Sequence, residues 1–374
     1  MLFERSEMEE RAAKARALMA EAGVDMIVAD SGEFLAWLTG YTVSETMYRA
    51  AFLPREGAPF FVLRALDADN CREAVWFEDI VGYPDTASPH AIMAEAIEAR
   101  GFGSARIGID ANSYGYSTLT AERLRTLLPR ATFVDLGEFG HRLRDRKSKA
   151  EIALLSQAAA IADKAMAAIR DSACVGMTTR DAAATAAAIF LREGADTGEV
   201  GPIVKSSGPH AFLHGPFSGE RLGEGDVLHV ELIPKVANYS ARLMRPIVIG
   251  GRPTERQSRV AERLIALQGE QIAAMKAGVR ACDVDAIVRE GVLAEGLRTE
   301  YPNVTAYTLG LVTRTPRTSD FSRAFLPTAQ WHLEEGMVFH VYTSAEGLAF
   351  SETVVVTQSG GRRLTNARRA LLTQ

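Results

Sequence analysis

The chain has 374 residues, a net charge of −5 and 24% charged residues, and this length favours two domains over one. The negative net charge argues against a surface that binds nucleic acid. The sequence has no run of about 18 apolar residues, so we expect no membrane span. The three cysteines form no CxxC pair, and the first residues are acidic and helical rather than signal-like. We expect a soluble cytoplasmic protein with reduced thiols and with no nucleic-acid or membrane partner.

The first part of the chain alternates strands with helices. Helical spacing over residues 7–23 ends at Gly23, a good C-terminal stop. Alternation of this kind predicts an α/β domain, which we place at residues 1–142. The predicted strands are 24–29, 50–54, 59–63, 107–110 and 132–135, and the later helices are 90–99 and 117–128.

A charged stretch from Arg142 to Lys149 precedes a change of pattern. Two long helices that contain many Ala, Leu and Gln residues, at 149–170 and 254–276, are each followed by a Gly-to-Asp turn, a shorter helix and strand-like segments. This faint repeat suggests a pseudo-twofold α+β domain at residues 143–374, with helices outside a sheet.

Residues 207–245 carry the strongest sign of a site. A loop with His210 and His214 leads through Gly225-Asp226 into an alternating strand that contains His229 and Glu231. Ionisable side chains in a strand are costly to bury unless they are paired or ligating. The strand is therefore predicted to form the floor of an active site.

Several segments occur in an order typical of a known family. They are Thr39-Gly40-Tyr41, residues 146–152, Gly225-Asp226, residues 333–339 and residues 352–357. In these segments the chain resembles the pita-bread family of methionine aminopeptidase, prolidase, aminopeptidase P and creatinase. The resemblance implies an α/β amino-terminal domain followed by an α+β pita-bread carboxy-terminal domain.

The resemblance also implies a site for two divalent ions, held by two Asp, one His and two Glu, but the ligands are replaced. A second family His falls on Arg314, and Glu352 lies beside the last ligand position. Arginine stays protonated and repels a dication, so we expect neither metal nor another cofactor. The five ligand positions fall on Glu231, Arg242, Tyr307, Tyr342 and Ser351.

Creatinase is the member of the family that works without metal. Its catalytic His lies twelve residues before the Gly-Asp aspartate, as His214 does before Asp226. Met244 replaces a creatinase Glu, so creatine itself is a poor substrate. Arg49 resembles an arginine that creatinase offers to the substrate carboxylate in the neighbouring subunit, which implies a homodimer.

The resulting site hypothesis assigns three residues to catalysis. His214 would move the proton, Glu231 would position water, and Tyr342 would stabilise a developing oxyanion. The alternatives are a loop histidine, a buried Glu231–Arg242 ion pair that fills the vacated metal site, and a core tyrosine. The candidate substrate-binding residues are Arg49, His210, Arg242, Tyr307, Arg314, His340 and Glu352.

The leading functional hypothesis is a metal-independent, creatinase-like hydrolase. It would cleave a C–N bond in a small carboxylate-bearing amide, amidine or ureido compound, because arginines suit an anionic substrate. Three alternatives stay open: a metal-free lyase or decarboxylase, a non-catalytic binding protein, and a metallo Xaa-Pro dipeptidase.

Overall fold

The computed structural model describes residues 2–42, 46–206, 211–313 and 322–373, without the side chains of 211 and 212. The chain divides into two compact units, residues 1–144 and 145–374. All three cysteines are free thiols.

Unit 1 is an α/β unit built on a six-stranded mixed sheet. Its strands are β1 (Met26–Ala29), β2 (Ala50–Pro54), β3 (Phe60–Arg64), β4 (Asp79–Tyr83), β5 (Arg106–Ile109) and β6 (Thr132–Asp135). Its helices are α1 (Arg5–Ala22), α2 (Gly32–Thr39), α3 (Ala68–Ala74), α4 (Pro89–Ala99), α5 (Thr118–Leu127) and α6 (Phe139–Arg144).

The sheet order in unit 1 is β4-β3-β2-β1-β5-β6. Strand β1 is wholly buried at the centre, antiparallel to β2 and parallel to β5. Helix α1 buries one apolar stripe and ends at Gly23, whose φ of 63° favours glycine. The predicted strands and helices are present, whereas α2, α3, α6 and β4 were not predicted from the sequence.

Unit 2 is an α+β unit with a larger, mostly antiparallel sheet. The main strands are β7 (Ile203–Lys205), β8 (Val227–Leu232), β11 (Leu243–Val248), β12 (Ala306–Thr308), β13 (Val338–Ala345) and β14 (Leu348–Val356). The short strands β15 (Gly361–Arg363) and β16 (Leu372–Thr373) join the same sheet, whereas β9 (Lys235–Val236) and β10 (Tyr239–Ser240) form a separate two-stranded sheet. The order is β12-β13-β14-β11-β8-β7, with β15 beside β14 and β16 beside β11.

Two helix pairs cover one face of this sheet, in agreement with the predicted repeat. The helices are α7 (Lys149–Ser172), α8 (Thr179–Arg192), α9 (Glu255–Ala274) and α10 (Ala281–Ala294). Capping boxes at Ser148, Thr178 and Thr254 set the starts of the first three. The two α/β and α+β domains implied by the resemblance are confirmed.

Helix α7 is the one helix among the described residues that is long and apolar enough to cross a membrane. Its apolar side chains, such as Leu155, Ala162 and Ile169, are buried. Ala162 and Ile169 join the same core as Val230 and Ile247 of the sheet. The length and composition of α7 therefore suit its place in the core of unit 2.

A tight turn joins β13 to β14. Glu346 and Gly347 have φ values of 48° and 78°, the positive angles of a two-residue hairpin turn. The turn fixes the register of the hairpin, in which Tyr342 lies opposite Ser351 and Val341 lies opposite Glu352.

Candidate active site

The sheet of unit 2 has a helix face and an opposite face, which we call the site face. Residues opposite each other in antiparallel strands point to the same side. The register aligns Tyr342 with Ser351, Ser351 with Met244, and Met244 with Glu231. Tyr307 pairs with His340 and so lies on the site face too. All five positions that the resemblance assigns to metal ligands belong to one face.

Arg242 connects three of these positions. Its Nη1 donates to Glu231 Oε1 at 2.6 Å and to the Tyr307 hydroxyl at 2.5 Å. Thr353 Oγ1 accepts from the backbone N–H of Arg242 at 2.8 Å and donates to its carbonyl at 2.9 Å. The backbone of Arg242 is therefore fixed, and its guanidinium extends from the position that the resemblance assigns to the second metal-binding Asp.

Several polar atoms on the site face have no partner. Within the part of the chain that the structure describes, Arg242 Nε, both ring nitrogens of His340 and Ser351 Oγ are buried without a hydrogen bond. A buried polar atom left unpaired costs about 1–3 kcal/mol. Unpaired buried groups of this kind call for a catalytic role or a bound water, ion or ligand, which makes the site face a candidate for binding a polar molecule.

The aromatic side chains around Arg242 are held in their neutral forms. The His340 ring lies 4.9 Å from the Tyr307 ring and 5.2 Å from the Tyr342 ring, between ring centroids. Burial lowers the pKa of His340 well below its usual value, and Arg242 lowers it further. Burial raises the pKa of both Tyr307 and Tyr342. At neutral pH the site therefore contains uncharged phenols and an uncharged imidazole beside one ion pair.

His214 lies at the edge of this group. It ends a short 3₁₀ turn, Ala211–His214, and its side chain is exposed. Burial raises the pKa of Glu231, while Arg242 and then His214 lower it. Burial, followed by His214, lowers the pKa of His229 to about 3. His214 is thus close enough to act electrostatically on Glu231 while staying open to solvent.

The residues present do not fit the family's pair of divalent ions. One carboxylate, a guanidinium, two phenols and a hydroxyl occupy the five positions. A guanidinium has no lone pair to offer and carries a positive charge of its own. Over the described ranges, 2–42, 46–206, 211–313 and 322–373, no group of three or more His, Cys, Asp or Glu is arranged to bind a metal.

Glu352 requires a correction, because it lies on the helix face. The Glu352 side chain is fully buried and forms an ion pair with Arg245 at 2.7 Å. The Thr365 hydroxyl also donates a hydrogen bond to its carboxylate. Arg363 and Arg369 lie 3.5 and 3.6 Å away. The prediction that Glu352 contacts substrate is therefore wrong, because the register of the hairpin turns its side chain toward the helices.

The other predicted residues fall outside this group. His210 and Arg314 lie outside the described residues. Arg49 is buried in unit 1, where its Nη1 donates to the carbonyl of Asp30 at 2.7 Å. Its predicted role in a neighbouring subunit of a homodimer stays a prediction.

Two residues beside Tyr342 were missed. Asn303 Nδ2 donates to the Tyr342 hydroxyl at 3.1 Å, and Arg298 Nη2 donates to Asn303 Oδ1 at 3.0 Å. Both lie in the loop between α10 and β12, where no periodicity or motif signals a contact with a strand. The buried ion pair of Glu231 and Arg242, in contrast, is one of the alternatives that the sequence suggested.

Comparison with known proteins identifies the family. The metallopeptidase family M24 model matches residues 153–358, and the creatinase/prolidase N-terminal domain model matches residues 11–145. The chain belongs to metallopeptidase family M24, as its resemblance to the pita-bread family implied.

The relatives are distant. An Xaa-Pro dipeptidase of Pyrococcus furiosus is 29% identical, over 62% of this chain and 66% of the dipeptidase. An ectoine hydrolase of Halomonas elongata is 25% identical, over 99% of this chain and 98% of that protein. The structure of an Xaa-Pro dipeptidase from Bacillus anthracis superposes with a TM-score of 0.84 at 18% identity, over 98% of this chain and 100% of that one. These names do not single out creatinase, the member on which the metal-free hypothesis is based.

Proposed function

We propose that this protein hydrolyses a C–N bond in a small carboxylate-bearing amide, amidine or ureido compound, without divalent ions at the family positions. Membership of family M24 supports hydrolysis of a C–N bond in general. The single observation that carries the finer proposal is Arg242, which replaces a metal-binding carboxylate and keeps a buried, unpartnered Nε.

The substrate class follows from the charges and donors on the site face. Arg242 supplies positive charge, and its guanidinium geometry suits a carboxylate or another planar anionic group. The unpaired His340 and Ser351 offer further hydrogen bonds to polar atoms of the ligand. A small planar polar substrate with one anionic group therefore suits this site better than a long peptide.

The reaction assigns a separate task to each of three residues. Oxygen of a water molecule bonds to the substrate carbon, the C–N bond breaks, and a proton of the water passes to the leaving nitrogen through His214. Glu231 orients the water, and Tyr342 donates a hydrogen bond to the substrate oxygen or nitrogen on which charge develops.

A second candidate is an Xaa-Pro dipeptidase, which the names of the archaeal relatives favour. An Xaa-Pro dipeptide also carries a carboxylate and an amide C–N bond, so the two candidates share much chemistry. The replaced ligands count against the metal-dependent form of that activity. Substrate and metal requirement therefore have to be tested separately.

The test uses purified protein whose metal content has been measured. It is incubated in ¹⁸O-labelled water with ectoine, an N-carbamoyl amino acid and an Xaa-Pro dipeptide, each with and without excess chelator. Chelator-resistant cleavage with ¹⁸O in the product supports the proposal. Cleavage without ¹⁸O indicates a lyase or decarboxylase, and cleavage restored only by Mn²⁺ or Co²⁺ indicates a metallo dipeptidase. A protein that binds these compounds without changing them belongs to the non-catalytic class.

A further inference from the structure

Arg298 is a buried arginine without a carboxylate partner. It is 7% exposed, and its guanidinium carbon lies 4.1 Å from the centre of the Tyr301 ring. Its Nη2 donates to Asn303, while Nε and Nη1 are buried and unpaired. Within the described ranges, Arg298 forms no ion pair. Arg289 of helix α10, in contrast, has a carboxylate partner, because it pairs with Asp285 at 2.6 Å.

The hydrogen bonds run in one direction from Arg298 to Tyr342. A guanidinium has donors only, so the atom of Asn303 that faces Arg298 is the amide oxygen. The amide nitrogen of Asn303 then faces Tyr342 and donates to its hydroxyl oxygen at 3.1 Å. Because that contact uses a lone pair, the hydroxyl hydrogen of Tyr342 stays available. Among the described residues it has no acceptor.

The loop that carries Asn303 is itself anchored. Arg289 Nη2 donates to the Asn303 carbonyl at 3.1 Å, and Nη1 donates to the Tyr301 carbonyl. Asp285 holds Arg289 and also accepts from Thr305 at 2.7 Å. The Asn303 side chain is therefore presented to Tyr342 by a backbone that is held on both sides.

We infer that Arg298 and Asn303 are positioning residues, which direct the hydroxyl hydrogen of Tyr342 toward a substrate oxygen or nitrogen on the site face. The inference deepens the proposed function and rests on it, since it assumes that a reacting substrate lies against this face. Burial also raises the pKa of Tyr342, so that the hydroxyl keeps the proton it donates.

The decisive variant is Asn303→Asp, which keeps the shape of the side chain and reverses one hydrogen bond. A carboxylate accepts from both Arg298 and Tyr342, so the Tyr342 hydrogen turns away from the substrate. The variant exchanges the hydrogen bond that Asn303 Nδ2 donates to the Val304 carbonyl at 3.2 Å for an ion pair with Arg298. We therefore expect its free energy of unfolding to stay close to that of the unmodified protein. Gln330→Glu is the matched control, because Gln330 is an exposed amide that accepts from Arg280 at 3.5 Å and donates to Cys282.

The first readout does not require turnover. In protein labelled with [¹³Cζ]tyrosine, the Tyr342 signal is the one of nine that disappears in Tyr342→Phe. We expect Asn303→Asp to move this signal downfield, because donation to a carboxylate gives the ring phenolate character, and Gln330→Glu to leave it in place. An unmoved signal in Asn303→Asp would overturn the inference, whether or not the protein cleaves any compound.

The second readout is kcat on whichever compound of the panel is cleaved. We expect Asn303→Asp and Tyr342→Phe each to lower kcat about 100-fold, with a smaller change in KM. Arg298→Lys, which can only donate, keeps more activity than Arg298→Gln, whose amide can present either end to Asn303. Full kcat in Asn303→Asp would overturn the inference even if the NMR signal moves. Failure of the unmodified protein to cleave any compound refutes the proposed function instead, and the NMR result still decides the direction of the hydrogen bond.

Discussion

Arg242 and Glu231 form a buried ion pair of 2.6 Å on the site face. Removal of one member leaves an uncompensated charge in a dry environment, which costs about 3–5 kcal/mol. We expect Arg242→Met to lower the free energy of unfolding by that amount and to abolish binding of carboxylate substrates. Urea unfolding measures the change in stability, and calorimetric titration with a carboxylate substrate measures the loss of binding.

The double variant Arg242→Met/Glu231→Leu is the control for charge. Because it removes both charges, it is expected to be more stable than either single variant while it remains inactive. Equal losses of stability in single and double variants would contradict the role of the pair.

The donor set on the site face predicts that divalent metal is not required. Prolonged dialysis against a strong chelator is expected to change neither the melting temperature nor the rate of cleavage. A family member that keeps the two Asp, one His and two Glu serves as the positive control for metal removal. Loss of activity in this protein, reversed by added Mn²⁺, would show that other residues bind a metal.

His214 is expected to affect activity and not stability. Its side chain is exposed, and surface substitutions of this kind change the free energy of unfolding by about 0.5 kcal/mol or less. His214→Ala should lower kcat by about 100-fold or more, because it removes the proton carrier. His332→Ala replaces another exposed histidine of unit 2 and should leave kcat unchanged. Similar rates for the two variants would remove His214 from the mechanism.

The free energy of unfolding should fall as the pH falls below the usual pKa of a histidine. The pKa of His340 is well below its usual 6.5 in the folded protein, so below pH 6.5 the unfolded chain binds a proton that the folded chain excludes. This histidine therefore favours folding fully above pH 6.5 and progressively less at lower pH, by up to about 1.4 kcal/mol per pH unit.

The corresponding variant is His340→Gln. Its free energy of unfolding is expected to decline less steeply between pH 6.5 and 4.5 than that of the unmodified protein. His229, whose pKa is lowered to about 3, supplies a second slope that both proteins share. Identical pH profiles would mean that His340 is not held neutral in the folded chain.

Glu352 is expected to matter for folding alone. Glu352→Ala leaves the buried Arg245 without its carboxylate. We therefore expect it to lower the free energy of unfolding by about 3–5 kcal/mol. KM measured below the lowered melting temperature should not change, since the side chain lies on the helix face. A large change in KM would place Glu352 in the site after all.

Hydrophobic periodicity and the order of short motifs were sufficient to predict both units and the two pairs of helices in unit 2, each a long helix followed by a shorter one. The strand parity of β8 also placed His229 and Glu231 together on one face. Strand parity did not give the correct face for Glu352. Ser351 and Glu352 are adjacent in sequence and point to opposite faces, and the position of the hairpin turn decides which of the two faces the site. Arg298 and Asn303 could not be predicted, since a loop brings them to Tyr342 and loops carry no period.

The two-residue turn at Glu346 and Gly347 also determines the chemistry of β14. A single inserted residue that slid β14 by one position along β13 would exchange the two sides of the strand. Ser351 would then enter the apolar layer under the helices, and Glu352 would bring its negative charge beside Glu231. The arginine cluster that now surrounds Glu352 would lose its only buried acid among the described contacts. The length of one hairpin loop thus selects between a hydroxyl and a carboxylate at the centre of the site, with no change in either side chain.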